Sequence, residues 1–400
     1  MRICLISMNL YSYGGIQRVL SGVLNELLNT GDVHIDIIMP YEKNDENVFG
    51  LDSRISVYNY NDFLFKKNKL KVFFHKIFKR INKETGVFGI RLTTPLLMKF
   101  FFSDVNKNKL VQFLNQGRYN TVIGVGELFS LLLSDIRDKV ECGCIGWMHS
   151  TFESYYLIRG GLCYGTYEYA KKALKKLDFL LVLTKTDQRA FEQHFGVKTY
   201  RLQNPVNYFC ERPEPNIDGP VVFVGRMVKY HKGLDYLLKV IEYTLSINGN
   251  IKFVLVGDGP DKKWLEKSIK QRGLTKSVAM PGMRKDIEKI LEKGSLLLHT
   301  SRYEGFGVVI VEAMMFGLPV VAFHNNGPDE IITDSVDGYL IDKYDCKKMA
   351  YTIESTLENI DKYKKMSAEA NKTAKGYTPE IIASNMRRIL EEKEEKEILP

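Results

Sequence analysis

Long uncharged runs are the first thing this sequence lacks. The chain opens "MRICLISMN", a short apolar strand with no basic lead-in, long apolar core or cleavage site, so no signal peptide is expected. The longest nearly uncharged stretch, "SRYEGFGVVIVEAMMFGLPVVAF" from Ser301 to Phe323, is interrupted by Glu312, Gly317 and Pro319. It reads as a helix followed by a strand, not as a membrane span. A cytoplasmic location is the expectation. Cysteine is sparse: of Cys4, Cys142, Cys144, Cys163, Cys210 and Cys346 only Cys142 and Cys144 lie close, too few together for a four-ligand zinc site. Reduced thiols are the default.

Three nucleotide and metal signatures are missing as well. Without G-x-G-x-x-G a nicotinamide enzyme is disfavoured, and without G-x-x-x-x-G-K-[ST] phosphoryl transfer through a P-loop is out. No D-x-D triplet occurs, so metal-held diphosphate has no support in the sequence. Neither a metal nor a cofactor is expected.

One absence is local. Between Asp62 and Glu84 there is no acid, while Lys66, Lys67, Lys69, Lys71, Lys76, Lys79, Arg80 and Lys83 supply eight bases. Leu70, Phe73, Phe74, Ile77, Phe78 and Ile81 fall on one helical stripe of the same segment. The spacing predicts a basic amphipathic helix. It could lie on an anionic membrane, with Lys76, Lys79 and Arg80 in the headgroup layer, or pack on its own domain with a solvated basic face. Nucleic acid is not expected as a partner, because no recognition motif accompanies the charge.

What is present is ample for two cores. The 400 residues are 44% hydrophobic and 26% charged, with a net charge of +9, and that length suits two domains. Short apolar strands alternate with helical patterns through residues 1–203, apart from the basic insertion near 62–114. A proline-rich linker, "QNPVNYFCERPEPNIDGP" with Pro205, Pro213, Pro215 and Pro220, leads into a second alternation. The expected division is 1–203, a linker at 204–219, 220–376, and a C-terminal helix at 377–400 able to pack back on the first domain. Strict alternation means parallel sheets covered on both faces, hence an α/β chain of two doubly wound domains with a cleft between them.

Ligands of such sheets bind where strands end and helices begin. Gly14 and Gly15 stand there after the first strand, and paired glycines let a ligand approach the backbone. In "VVFVGRMVKYHKG" Arg226 and Lys232 follow a strand and suit a diphosphate, one as a planar fork and the other as a point charge. Gly257 and Gly259 in "VGDGP" again permit close backbone approach. In "RYEGFGVVIVE" Glu304 ends a strand, and the amides of Phe306, Gly307 and Val308 open a helix, the right place for phosphate oxygens. Glu312 follows inside that apolar helix, where a carboxylate needs donors such as sugar hydroxyls.

Together these stretches, with "GPDEIITDSVDGYLI", resemble the retaining glycosyltransferases of family 4, which have the GT-B fold of two Rossmann-like domains. The resemblance covers nearly the whole chain, and E-x7-E with its flanks is its most specific part. It implies that Gly15 approaches donor and acceptor, that Arg226 and Lys232 hold the donor diphosphate, that Glu304 faces the transferred sugar, and that Glu312 binds the ribose. His149 in "GWMHS" looks like the histidine that contacts the sugar near the reacting carbon. The implied reaction is metal-independent transfer of a hexose or N-acetylhexosamine from a nucleoside-diphosphate sugar, UDP favoured, to a glycan. With the basic helix, a lipid-linked acceptor at the inner face of the cell membrane is the expectation, in bacterial capsule, O-antigen or other surface-glycan synthesis. Two readings stay open beside it: a soluble transferase for protein or polymer acceptors, and a non-catalytic subunit that binds sugar nucleotides. The family commonly has glycine where Pro205 stands, and the 61–114 insertion matches no motif, which leaves the acceptor site unread.

Overall fold

The structure, a computed structural model, describes residues 1–42, 45–60, 104–158, 163–211 and 213–398. The expected basic helix with Lys76, Lys79 and Arg80 lies outside the described residues. No described helix is long and apolar enough to cross a membrane. The chain divides into two compact units, Met1–Gln203 with Pro379–Pro400, and Asn204–Thr378.

The first unit is built on seven parallel strands: β1 (Arg2–Ile6), β2 (His34–Met39), β3 (Ser56–Asn59), β4 (Thr121–Val125), β5 (Gly143–Trp147), β6 (Phe179–Val182) and β7 (Thr199–Arg201). They lie in the order β3-β2-β1-β4-β5-β6-β7. Their sequences run apolar rather than alternating, and β4, β5 and β6 are buried at every residue, because helices cover both faces. The helix Gly15–Asn29 covers one face through Leu20, Val23, Leu24 and Leu27. Against it packs the chain's last helix, Pro379–Ile398, whose Ile382, Ala383, Met386, Ile389 and Leu390 recur at helical spacing in the same core. The described end of the expected insertion is a helix, Asp104–Gly117, held on the opposite face by Leu110 and Leu114.

The second unit repeats the plan with β8 (Val221–Val224), β9 (Phe253–Val256), β10 (Val278–Gly282), β11 (Leu296–His299), β12 (Val320–Phe323) and β13 (Gly338–Ile341), ordered β10-β9-β8-β11-β12-β13. The stretch 204–219, expected as a linker, is fastened to this unit. The Val206 amide donates to Tyr377 O at 2.8 Å, Asn371 Nδ2 to Cys210 O at 3.0 Å, and Asn216 Nδ2 to Lys293 O at 2.9 Å. Proline removes backbone donors from such a segment, so side-chain amides supply two of these three ties, Asn371 from outside it and Asn216 from within.

In each sheet the order reverses once, between β1 and β4 and between β8 and β11. Beyond the carboxyl ends of strands at such a point the loops diverge and leave room for a ligand.

Candidate functional site

The loops after β8 and β11 carry Arg226, Lys232 and Glu304, and the structure ties the two loops together. Gly233 has φ 62°, and a Cβ there would stand 2.1 Å from Thr300 O, so only glycine lets the β8 loop pass so close to the β11 loop. Thr300 Oγ1 donates to Lys232 O at 3.1 Å, and the Arg302 amide donates to His231 O at 3.0 Å. Arg302 locks the base of the joint with two hydrogen bonds to Asp235, at 2.8 and 2.6 Å, and lies 4.1 Å above the Tyr236 ring.

This joint brings together two residues 72 positions apart: Lys232 Nζ donates to Glu304 Oε2 at 2.6 Å. The same oxygen lies 3.1 Å from His299 Nε2. Glu304 is only 14% exposed, and burial alone would push its carboxyl up. The Lys232 charge and the His299 hydrogen bond outweigh burial and hold it well below the usual carboxylate range. The backbone here is pinned from β12's end: Asn325 Oδ1 accepts from the Glu304 amide at 3.3 Å, Asn325 Nδ2 donates to Ser301 O at 3.1 Å, and the Gly327 amide donates to Glu304 O at 3.2 Å. Arg226 is exposed and makes no ion pair among the described residues.

Beyond Glu304 the chain turns into the helix Val308–Met315. Gly307 makes the turn at φ 89°, a conformation costly for any other residue. The amides of Phe306, Gly307 and Val308 stand at the helix start, where first-turn N–H groups have no intrahelical acceptor. Glu312 is buried among Ile310, Val311, Ala313 and Met314, about 6 Å along the axis from the helix start at 1.5 Å per residue. Gly257 and Gly259 have a nearer explanation than a ligand. A Cβ on Gly257 would meet Gly225 O at 1.9 Å, and one on Gly259 would meet Met227 O at 2.5 Å. The backbone they admit closely is the chain's own β8 loop.

At the corresponding point of the first unit the groups differ. Gly15 starts its helix in open space: a Cβ there would have nothing within 4 Å, so packing does not demand glycine. An open pocket of about 390 Å³ lies beside Tyr11, from the same loop, and Tyr41 after β2, with Asn47 and Ser53 on its wall. Glu127, directly after β4 and Gly126, is buried and accepts from Thr166 Oγ1 at 3.1 Å. With no cation among the described residues to balance it, burial pushes its carboxyl up to about 8. His149 follows β5, its ring 4.8 Å from that of Trp147 and its amide donating to the Tyr155 hydroxyl at 3.3 Å. Burial pushes the imidazole down to about 3, and neither ring nitrogen has a hydrogen-bond partner among the described residues.

The structure thus brings Lys232, Glu304 and the start of the Glu312 helix together, with Arg226 on the same loop as Lys232. Sequence reasoning missed His299, Asn325 and Glu127. A usable signal existed for the first: "SLLLHTS" ends an apolar strand on a histidine five residues before Glu304.

Residues 211–373 match the family described as Glycosyl transferases group 1. Over 194 residues, 48% of this chain and 39% of the relative, the sequence is 30% identical to a poly(ribitol-phosphate) alpha-N-acetylglucosaminyltransferase of Staphylococcus aureus. The matched part thus spans about two fifths of that relative's length. The amylovoran biosynthesis glycosyltransferase AmsD of Erwinia amylovora is 27% identical over 302 residues, 70% of this chain and 81% of its own. Among solved structures, Anabaena HepE in complex with UDP superposes with a TM-score of 0.72 at 18% identity, covering 98% of this chain and 100% of that one. TarM superposes with a TM-score of 0.75 at 19% identity, covering 97% and 98%.

Proposed function

We propose that this homologue of the GT-B glycosyltransferases, which carries a glycosyl transferases group 1 domain over residues 211–373, moves a hexose or N-acetylhexosamine from a UDP-sugar to a cell-surface glycan acceptor with retained anomeric configuration. The observation that carries the reading is the junction of Lys232 and Glu304 beside a helix N-terminus that leads to a buried Glu312. Breaking the anomeric carbon–phosphate oxygen bond develops negative charge on the diphosphate. Lys232, Arg226 and the amides of Phe306, Gly307 and Val308 stabilise that charge as it forms. Glu304, kept ionised, accepts from hydroxyls of the transferred sugar, and Glu312 accepts from the ribose. The acceptor oxygen bonds to the anomeric carbon on the face that the phosphate leaves, and its proton passes to the departing phosphate oxygen. The reading gives no step to a metal. His149, held neutral, can donate to or accept from a hydroxyl without adding charge.

UDP is favoured because HepE was solved with UDP, and a TarM variant with UDP, alpha-GlcNAc-glycerol and fondaparinux. The named relatives support a bacterial surface polymer as acceptor. The pocket beside Tyr11 and Tyr41 suits the acceptor, since aromatic faces next to amide and hydroxyl groups fit a sugar ring. The basic segment with Lys76, Lys79 and Arg80 supports a lipid-linked acceptor at the inner face of the membrane.

A thermal-shift series with UDP-, GDP- and ADP-sugars tests the donor: at 100 times Kd a ligand adds about 2.7 kcal/mol, so the true nucleotide stands out. Wild type hydrolyses that donor slowly and Glu304→Ala does not. Equal hydrolysis by both proteins removes Glu304 from the site. For the membrane, Lys-to-Glu changes at Lys76 and Lys79 with Arg80→Glu abolish sedimentation with anionic liposomes; undiminished sedimentation leaves the segment without that role.

A further inference from the structure

The function proposed above makes two demands on Lys232 that conflict. Its ammonium sits 2.6 Å from Glu304 Oε2, yet the same charge is required on the donor's diphosphate. When the ammonium turns to the phosphates, Glu304 loses its only ion-pair lysine among the described residues while remaining largely buried. A carboxylate in that state is drawn toward protonation or toward another rotamer. Something else must keep it aimed.

We propose, resting on that reading of the site, that His299 is a positioning residue which holds the Glu304 carboxylate in place while Lys232 is engaged by the diphosphate. Three observations carry this. His299 is 3% exposed and is the last residue of β11, paired in register with Ala322 of β12, so its backbone is fixed by the sheet while Glu304 hangs on a loop beside Gly305. Its Nε2 lies 3.1 Å from the same Oε2 that Lys232 holds, so its hydrogen bond persists when the ammonium leaves. Its Nδ1 is buried without a hydrogen-bond partner among the described residues, and a proton there would be stranded. The ring proton therefore belongs on Nε2, pointing at Glu304, a tautomer assigned from hydrogen-bond logic. Ser301 Oγ, 3.3 Å from Nε2, keeps the ring from swinging away. A donor fixed on a strand that orients a reacting-site carboxylate on a loop is how a site keeps its geometry during a cycle of ligand binding.

The test uses full-length protein with UDP-glucose and UDP-N-acetylglucosamine as probes, following UDP release and the thermal shift given by UDP. His299→Leu removes the donor and keeps much of the volume. His299→Gln returns an N–H near the position of Nε2. His299→Asn returns one only near Nδ1. A hydrogen bond to a charged group is worth about 1.5–3 kcal/mol, which corresponds to roughly 10–150-fold. His299→Leu and His299→Asn are expected to lose kcat by that factor with KM for the donor and the UDP shift within about threefold of wild type. His299→Gln recovers to within about fivefold. The proposal is overturned if Leu retains wild-type kcat, if Gln is as slow as Leu, or if Asn is as fast as Gln. Should the Leu protein not fold, Asn against Gln gives the same decision. If wild type neither releases UDP from the probes nor is stabilised by UDP, the reading of the whole site falls and this proposal with it. Active wild type with unaffected variants removes His299 alone.

Discussion

The two units share a strand order and differ in what stands where that order reverses. In the second, opposite charges meet: Lys232 on Glu304, with Arg226 exposed on the same loop. In the first, charge is kept out: the Glu127 carboxyl after β4 is pushed up to about 8 and, one strand beyond the reversal, the His149 imidazole after β5 is pushed down to about 3, both by burial. The same scaffold has been given a polar, ionised site in one copy and a neutral one in the other. The function proposed above, with an anionic donor and an uncharged hydroxyl acceptor, would ask for that division, because diphosphate is bound by cations and amides whereas a hydroxyl gains little from a net charge nearby.

The contrast breaks most visibly at Lys232. Lys232→Ala removes the point charge from the diphosphate and leaves Glu304 without its ion-pair partner, so kcat/KM for donor turnover should fall about 10²- to 10³-fold. Steady-state UDP release measures it, and a loss under tenfold would mean the second unit's charges are structural. Next comes Glu312→Ala. A buried carboxylate that accepts from ribose hydroxyls contributes about 1.5–3 kcal/mol, so calorimetric UDP affinity should weaken roughly 10- to 150-fold with the fold intact. Unchanged affinity would make Glu312 a core acid satisfied by its own surroundings. Arg226→Ala should cost less, about five- to tenfold in UDP affinity, because an exposed guanidinium is already screened by water and salt. Its effect should also shrink as salt is raised, which separates a charge contact from a packing one.

Much of the fold behind this contrast was legible in the sequence and the contrast itself was not, for physical reasons. Uninterrupted apolar strands such as "VVFV" and "SLLLH", separated by helical periods, require parallel sheets covered on both faces, and both sheets are of that kind. The turn glycine Gly307 and the helix that carries Glu312 stand as their spacing predicts. The meeting of Lys232 with Glu304 could not be read from either loop, since it depends on Gly233 letting one backbone pass against Thr300. The crowding at Gly257 and Gly259 was equally hidden: a glycine that admits backbone looks in sequence like a glycine that admits a ligand. Glu127 is the hardest case, because a glutamate at the start of a helix ordinarily reads as an exposed acid favoured by the dipole. Only burial with no cation beside it among the described residues makes it a neutral group.

That neutrality is measurable, and it is the smallest effect expected. In the folded protein Glu127 holds its proton up to about pH 8, whereas its ordinary value is 4.5. Between those values folding takes up a proton, so the stability Glu127 provides is full below about pH 4.5 and declines as pH rises towards 8, by at most about 1.4 kcal/mol per pH unit. Glu127→Gln mimics the protonated acid at every pH and lacks this slope. His149 titrates identically in both proteins and cancels in the difference. The variant should therefore gain on wild type by a few degrees in Tm as pH is raised from 6 to 7, a difference of at most about 1.4 kcal/mol at about 2–4 °C per kcal/mol for a unit of this size. Parallel curves would mean that Glu127 is ionised in the folded state. The first unit would then carry a buried anion where its strand order reverses, and an uncharged hydroxyl would no longer explain why the two copies differ.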